Sequence, residues 1–204
     1  GAWLLALPGV ARPRRVALAL AFAGGLAAAL FPVALRNWWV GGEFHLTTSQ
    51  LGSNLYIGNH PGARGGYEPM RPGRGSAEFE RQDATELAQQ ALGRPLSPAE
   101  VSSYWTRRAI DYAATQPGDW LRLMARKLAL LISAVELVDS EDQYTTAEFS
   151  TVLRETGRLG HFGVLAPLAL LGVFVSWQRR RELWWLYAAS AAYAASVLLF
   201  YVFA

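Results

Sequence analysis

The chain has 204 residues, 52% of them hydrophobic and 17% charged, with no cysteine and a formal net charge of +3. Soluble domains usually carry roughly 25% charged residues, and the shortfall here is local: Val16–Leu35, Leu159–Gln178 and Leu183–Ala204 hold no charged side chain over 20, 20 and 22 residues. About 20 apolar helical residues cross a bilayer core, so the composition excludes a purely soluble domain and makes nucleic acid a poor account of the basic balance.

In chain order, Gly1–Val10 is apolar but too short to span, and reads as the end of a membrane helix that begins upstream. It has neither the basic leader nor the small-residue cleavage site of a signal peptide. Because Ala204 also stops inside an apolar run, the chain is expected to be an internal part of a longer polytopic protein. Arg12, Arg14 and Arg15 precede the first full span, Val16–Leu35, whose far end meets Arg36, Trp38 and Trp39. A tryptophan pair at that depth is an interfacial anchor. Residues 36–75 form a Gly/Asn-rich, irregular loop with turn signals at Gly41–Gly42, Asn59–His60–Pro61–Gly62 and Gly65–Gly66. Two short strands are predicted in it, over Glu43–Thr47 and Asn54–Ile57.

Residues 76–158 are predicted largely helical. Ser76 opens a helix that ends near Gly93. Ser97-Pro98-Ala99-Glu100 is a capping box with proline at the first helical position, opening a helix to about Gln116. Pro117-Gly118-Asp119 breaks it and starts an amphipathic segment, Asp119–Leu137. Only Leu128–Val135 of that segment is free of charge, far short of a span, so it reads as an interfacial helix or one packed on the membrane domain. Leu159–Gln178 and Leu183–Ala204 complete a mainly α fold of three full spans and a partial one.

The charge gives the threading. Arg12–Arg15 and Arg179–Arg181 hold six arginines, whereas residues 36–160 hold 13 basic and 15 acidic side chains. The positive-inside rule makes both arginine loops cytoplasmic and residues 36–158 extracytoplasmic. The absence of cysteine fits an outer location. One lysine against eighteen arginines, with abundant alanine, points to a high-GC bacterial genome and hence to an inner-membrane, multi-pass protein.

His45, His60 and His161 are isolated and lack metal-ligand spacing. The glycine-rich loop lacks the phosphate-loop lysine, and no nucleophile elbow is present. Glu136, in the most apolar part of the interfacial segment, needs either a structural ion partner or a substrate role. Glu43 follows a Gly–Gly turn near the outer face and reads as a loop-ordering salt bridge, a general base or a sugar-hydroxyl ligand. Arg36 either snorkels to headgroups or, with Lys127, pairs with the phosphate of a lipid-linked substrate.

The run Arg36-Asn37, Gly42-Glu43, Thr48-Ser49-Gln50, Gly52-Ser53-Asn54-Leu55-Tyr56-Ile57-Gly58-Asn59, Gly66-Tyr67, Ser97-Pro98-x-Glu100, Tyr104-Trp105 and Pro117-x-x-Trp120-Leu121 with Lys127 resembles the later half of bacterial membrane glycosyltransferases. These are of the dolichyl-phosphate-mannose–protein mannosyltransferase type, family 39 of the GT-C superfamily. The resemblance implies an integral membrane enzyme that moves a sugar from a polyprenyl-phosphate donor to an extracytoplasmic acceptor. The partners it implies are membrane lipid and that lipid-linked sugar. In this superfamily the catalytic Asp lies in the first outer loop, and no residue here matches it. Arg36 and Lys127 then become candidates for the donor phosphate, while Glu43, Asn54, Tyr56 and Asn59 suit sugar or loop-internal hydrogen bonds. No cofactor is predicted, and some relatives bind a divalent cation. The alternatives are a transporter or flippase subunit for envelope lipids, or a membrane-anchored interaction module that uses Ser76–Leu137 as its docking surface.

Overall fold

The computed structural model describes residues 10–42, 50–133 and 143–202. The predicted strand Glu43–Thr47 and residue Glu136 lie outside them. The protein is mainly helical and divides into two units, Gly1–Ser49 and Gln50–Ala204.

Among its described residues the first unit holds one helix, α1 (Arg12–Gly41), 30 residues long and hence about 45 Å from end to end. Proline sits in its first turn, where the missing N–H is no loss. The helix closes at Gly42, whose φ of 72° no β-carbon opposes and whose N–H donates to Trp38 O at 2.9 Å. Leu20, Phe22, Leu26 and Phe31 are exposed around it, an apolar surface on a helix long enough to cross a membrane.

The second unit starts with α2 (Leu51–Gly58). This corrects the strand expected over Asn54–Ile57. Eight residues are too few to separate period 2 from period 3.6, and tertiary contact decides for the helix. A β-carbon on Gly52 would stand 1.8 Å from Ser102 O, so the backbones touch there. Gly52 N donates to Ser102 Oγ at 3.1 Å.

Three helices, α3 (Ala77–Leu92), α4 (Pro98–Thr115) and α5 (Pro117–Leu131), build a body named the outer body for the side expected from the charge pattern. α3 ends at Gly93 with φ 67°. α4 opens with the capping box, in which Ser97 N donates to Glu100 Oε2 at 2.9 Å and Glu100 N to Ser97 Oγ at 3.4 Å. Ala84 and Ala88 of α3 let α4 approach closely enough to bury Val101 and Trp105 between them, and the indole N–H donates to Ala84 O at 2.9 Å. Asp83, 1% exposed, bonds Arg71 and Arg74 at 3.0 Å each and so ties the preceding loop down on α3. A buried carboxylate is tolerable only when paired in this way.

The chain continues through α6 (Gln143–Glu148), α7 (Thr151–Gly160), α8 (Phe162–Val175), a 3-10 turn (Trp177–Arg179) and α9 (Arg180–Leu199). Two stretches are long and apolar enough to cross a membrane, Arg12–Val40 and Thr151–Val175. The second differs from the continuous helix expected over Leu159–Gln178. It breaks at His161, whose backbone is extended and whose Nδ1 accepts from Gly163 N at 3.1 Å, starting α8 afresh. The helix expected over Leu183–Ala204 also ends early, at Leu199. Its last carbonyls are claimed by side chains of the outer body, and Val202 makes a parallel bridge to Gly66, the one β-type pairing among the described residues.

Candidate functional site

The densest polar cluster in the second unit lies where α2, α5 and the end of α9 meet. α2 stops at Asn59, which leaves helical geometry with φ −140° and ψ 73°. Its amide then bonds in several directions: Nδ2 donates to Leu55 O at 2.9 Å and to Leu199 O at 2.7 Å, and Oδ1 accepts from Trp120 Nε1 at 3.1 Å and Lys127 Nζ at 3.4 Å. Lys127 is fully buried. Its ammonium also donates to Leu198 O at 3.1 Å and Phe200 O at 2.5 Å.

The electrostatics follow from these partners. A helix ends with unpaired carbonyls and the negative pole of its dipole. Lys127 meets α9 at that end, so a cation sits where the helix favours one. Its oxygen partners are all uncharged, and burial lowers its pKa to about 8. Glycines make the approach possible. A β-carbon on Gly58 would fall 1.7 Å from Phe200 O, and one on Gly65, at φ 101°, would press on Leu130 and Lys127. Gly65 O accepts from Val202 N at 2.8 Å.

An aromatic group stands on the other side of α2. The Tyr56 ring lies 4.6 Å from Trp105 and 5.3 Å from His60, centroid to centroid. Arg108 lies over both Tyr56 and Tyr104 and donates to Tyr104 Oη at 3.0 Å. His60 accepts from Gly62 N at Nδ1, and burial lowers its pKa against the opposing pull of Glu68.

The residues singled out in the sequence fall as follows. Asn59 and Lys127 are in direct contact, with their polar atoms directed to one another and to α9. Tyr56 packs in the aromatic group. Asn54 Oδ1 is buried without a hydrogen-bond partner, the one such side-chain atom among the described residues. Arg36 is exposed near the end of α1, in the other unit. Glu43 lies outside the described residues. Trp120 and Gly58 belong to the cluster although spacing alone assigned them no role. The signal available for them was a glycine directly before an asparagine, with an indole two turns ahead of the chain's single lysine. The clamp of Arg71 and Arg74 on Asp83 was also missed, because its partners lie 9 to 12 residues apart across a loop.

No group of three His, Cys, Asp or Glu side chains able to hold a metal ion is found among the described residues. Through Asn59 and Lys127 the cluster is a bonded joint between the outer body and the end of α9. No family model, curated protein or solved structure matches the chain.

Proposed function

We propose that the chain is the later part of an integral membrane glycosyltransferase that moves a sugar from a polyprenyl-phosphate donor to an extracytoplasmic acceptor. The observation that carries this reading is a convergence. Asn59 comes from one motif of the glycosyltransferase resemblance and Trp120 and Lys127 from another, 61 and 68 residues further on, and in the fold both donate to Asn59 Oδ1. Residues kept together by an outer body seated on a membrane helix are what such an enzyme needs to hold an acceptor cleft at the bilayer surface.

The threading belongs to the same proposal, with spans at Val16–Leu35, Leu159–Gln178 and Leu183–Ala204 in a bacterial inner membrane. α9 supports it: Arg180 and Arg181 open the helix, and Leu198–Phe200 at its other end meet the outer body. Twenty residues put those ends about 30 Å apart, one bilayer core. Arginines on one side and the outer body on the other match the positive-inside expectation. Arg36 is proposed to meet the donor phosphate as an exposed guanidinium at the outer end of its span.

The experiment is a comparison of lipid-linked sugars by mass spectrometry in membranes with and without the gene. One polyprenyl-phosphate monosaccharide should accumulate in the deletion, and unchanged pools would remove the enzymatic reading. Arg36→Ala should reproduce the accumulation at normal protein level. If turnover stays normal, Arg36 is not at the donor site.

A further inference from the structure

α5 has three distinct faces. Leu123 and Lys127 are buried against the rest of the unit. Leu121, Leu128 and Ile132, at i, i+7 and i+11, are 61%, 50% and 65% exposed, with the exposed Ala125 among them. At 100° per residue these four fall within about 60° of arc. Arg122 and Arg126 form the third face, turned about 110° from the apolar one, and Arg122 is steadied by Asp119 at 2.8 Å. A helix already packed on one side has no need of a second apolar stripe unless something covers it.

Two features identify the cover. The first is position: α5 is bonded through Lys127 to Leu198 and Phe200, at the end of α9, a helix with no buried residue along its length. The stripe therefore begins at the level where α9, the proposed span, ends. The second is charge: two arginines on long apolar stems flank the stripe and can reach phosphates while the leucines lie deeper. We infer that α5 is seated in the outer leaflet at the headgroup–acyl boundary, with Leu121, Leu128 and Ile132 inserted and Arg122 and Arg126 against anionic lipid phosphates. The inference rests on the proposed threading, in which α9 crosses a bilayer with its Leu198–Phe200 end outside, and it is independent of glycosyl transfer.

The chain lacks cysteine, so single nitroxide labels are unambiguous. Labels at positions 121, 128, 122 and 190 in the whole protein, reconstituted in phosphatidylcholine vesicles with or without phosphatidylglycerol, are read for collision with oxygen (lipid-soluble) and a nickel chelate (water-soluble). At 121 and 128 the oxygen-to-nickel ratio should be several-fold higher than at 122. It should rise further with phosphatidylglycerol, and that rise should vanish in Arg122→Gln/Arg126→Gln. Nickel contact at 121 and 128 overturns the inference in favour of water, and shielding from both agents overturns it in favour of a protein partner. Equal ratios in both vesicle types overturn the anionic-lipid assignment. Position 190, in the middle of α9, separates the two claims: a wet label there removes the membrane reading itself, whereas a lipid-exposed 190 with a wet 128 removes only the seat of α5.

Discussion

Lys127 lies at the centre of the polar cluster that joins α2, α5 and the end of α9. It sits in a fully buried position, with its ammonium satisfied by Asn59 and two main-chain oxygens. Removing a cation from water costs several kcal/mol even after relaxation, and no carboxylate among the described residues is bonded to it to offset that cost. The folded-state pKa of about 8 lies below the free value of 10.5. Between those two values the unfolded chain holds the proton and the folded chain has released it, so stability rises with pH across that window. The gain should approach about 3 kcal/mol. Thermal unfolding in detergent at pH 7.5, 9 and 10.5 measures it, and Lys127→Met should flatten the dependence. A melting temperature that falls from pH 7.5 to 9 in the unaltered protein would contradict the assignment. None of this burial is readable in the sequence, where a lone lysine directly after Arg126 looks like an exposed or phosphate-facing charge. The carbonyls that define its environment come from residues 71 and 73 positions away.

At the scale of elements, glycine decides which helices touch. Gly58→Ala drives a methyl group into Phe200 O and has no flexible neighbour to displace. The variant should lose about 2–4 kcal/mol and free the end of α9, read as lowered melting and faster proteolysis after α9. Gly118→Ala in the first turn of α5 meets open space and should be neutral or stabilising by up to about 1 kcal/mol; equal losses at both sites would show that backbone entropy, not contact, sets the effect. Elements framed by local chemistry were legible in advance. The capping box at Ser97 and Glu100 is present with both bonds, and the Gln116–Pro117 break separates α4 from α5. Elements framed by contact were not. α2 has helix-poor glycines at both ends and becomes a helix because those glycines admit Ser102 and Phe200. The end of α9 is set by Asn59 and Lys127, and an apolar run gives no sign of where distant donors will intercept it.

At the scale of the molecule, the charge distribution read from the sequence and the geometry of α9 make one claim about orientation. A cysteine introduced at Gly65 should react with an impermeant thiol reagent in intact cells, and one at Arg180 only after the membrane is opened. Reversed labelling would overturn the threading. Gly65→Cys also strains a φ of 101° beside Lys127, so Pro72, in an exposed turn of the same loop, is the second position for the same test. The helical class and the apolar helices were legible because a long uniform apolar pattern is written in the sequence itself. The joint between the helical body and the end of α9 was not, because its acceptors at that end are backbone oxygens, which every sequence possesses.

The joint also has a consequence in time. The oxygens that receive the Lys127 ammonium are made 71 and 73 residues after it. At about 5–20 residues per second, the ribosome needs roughly 4–14 seconds to supply them. Through that interval α5 has no complete seat for its charge, and the outer body cannot close. Closure of the body around Lys127 therefore waits on the synthesis of α9 and the residue that follows it.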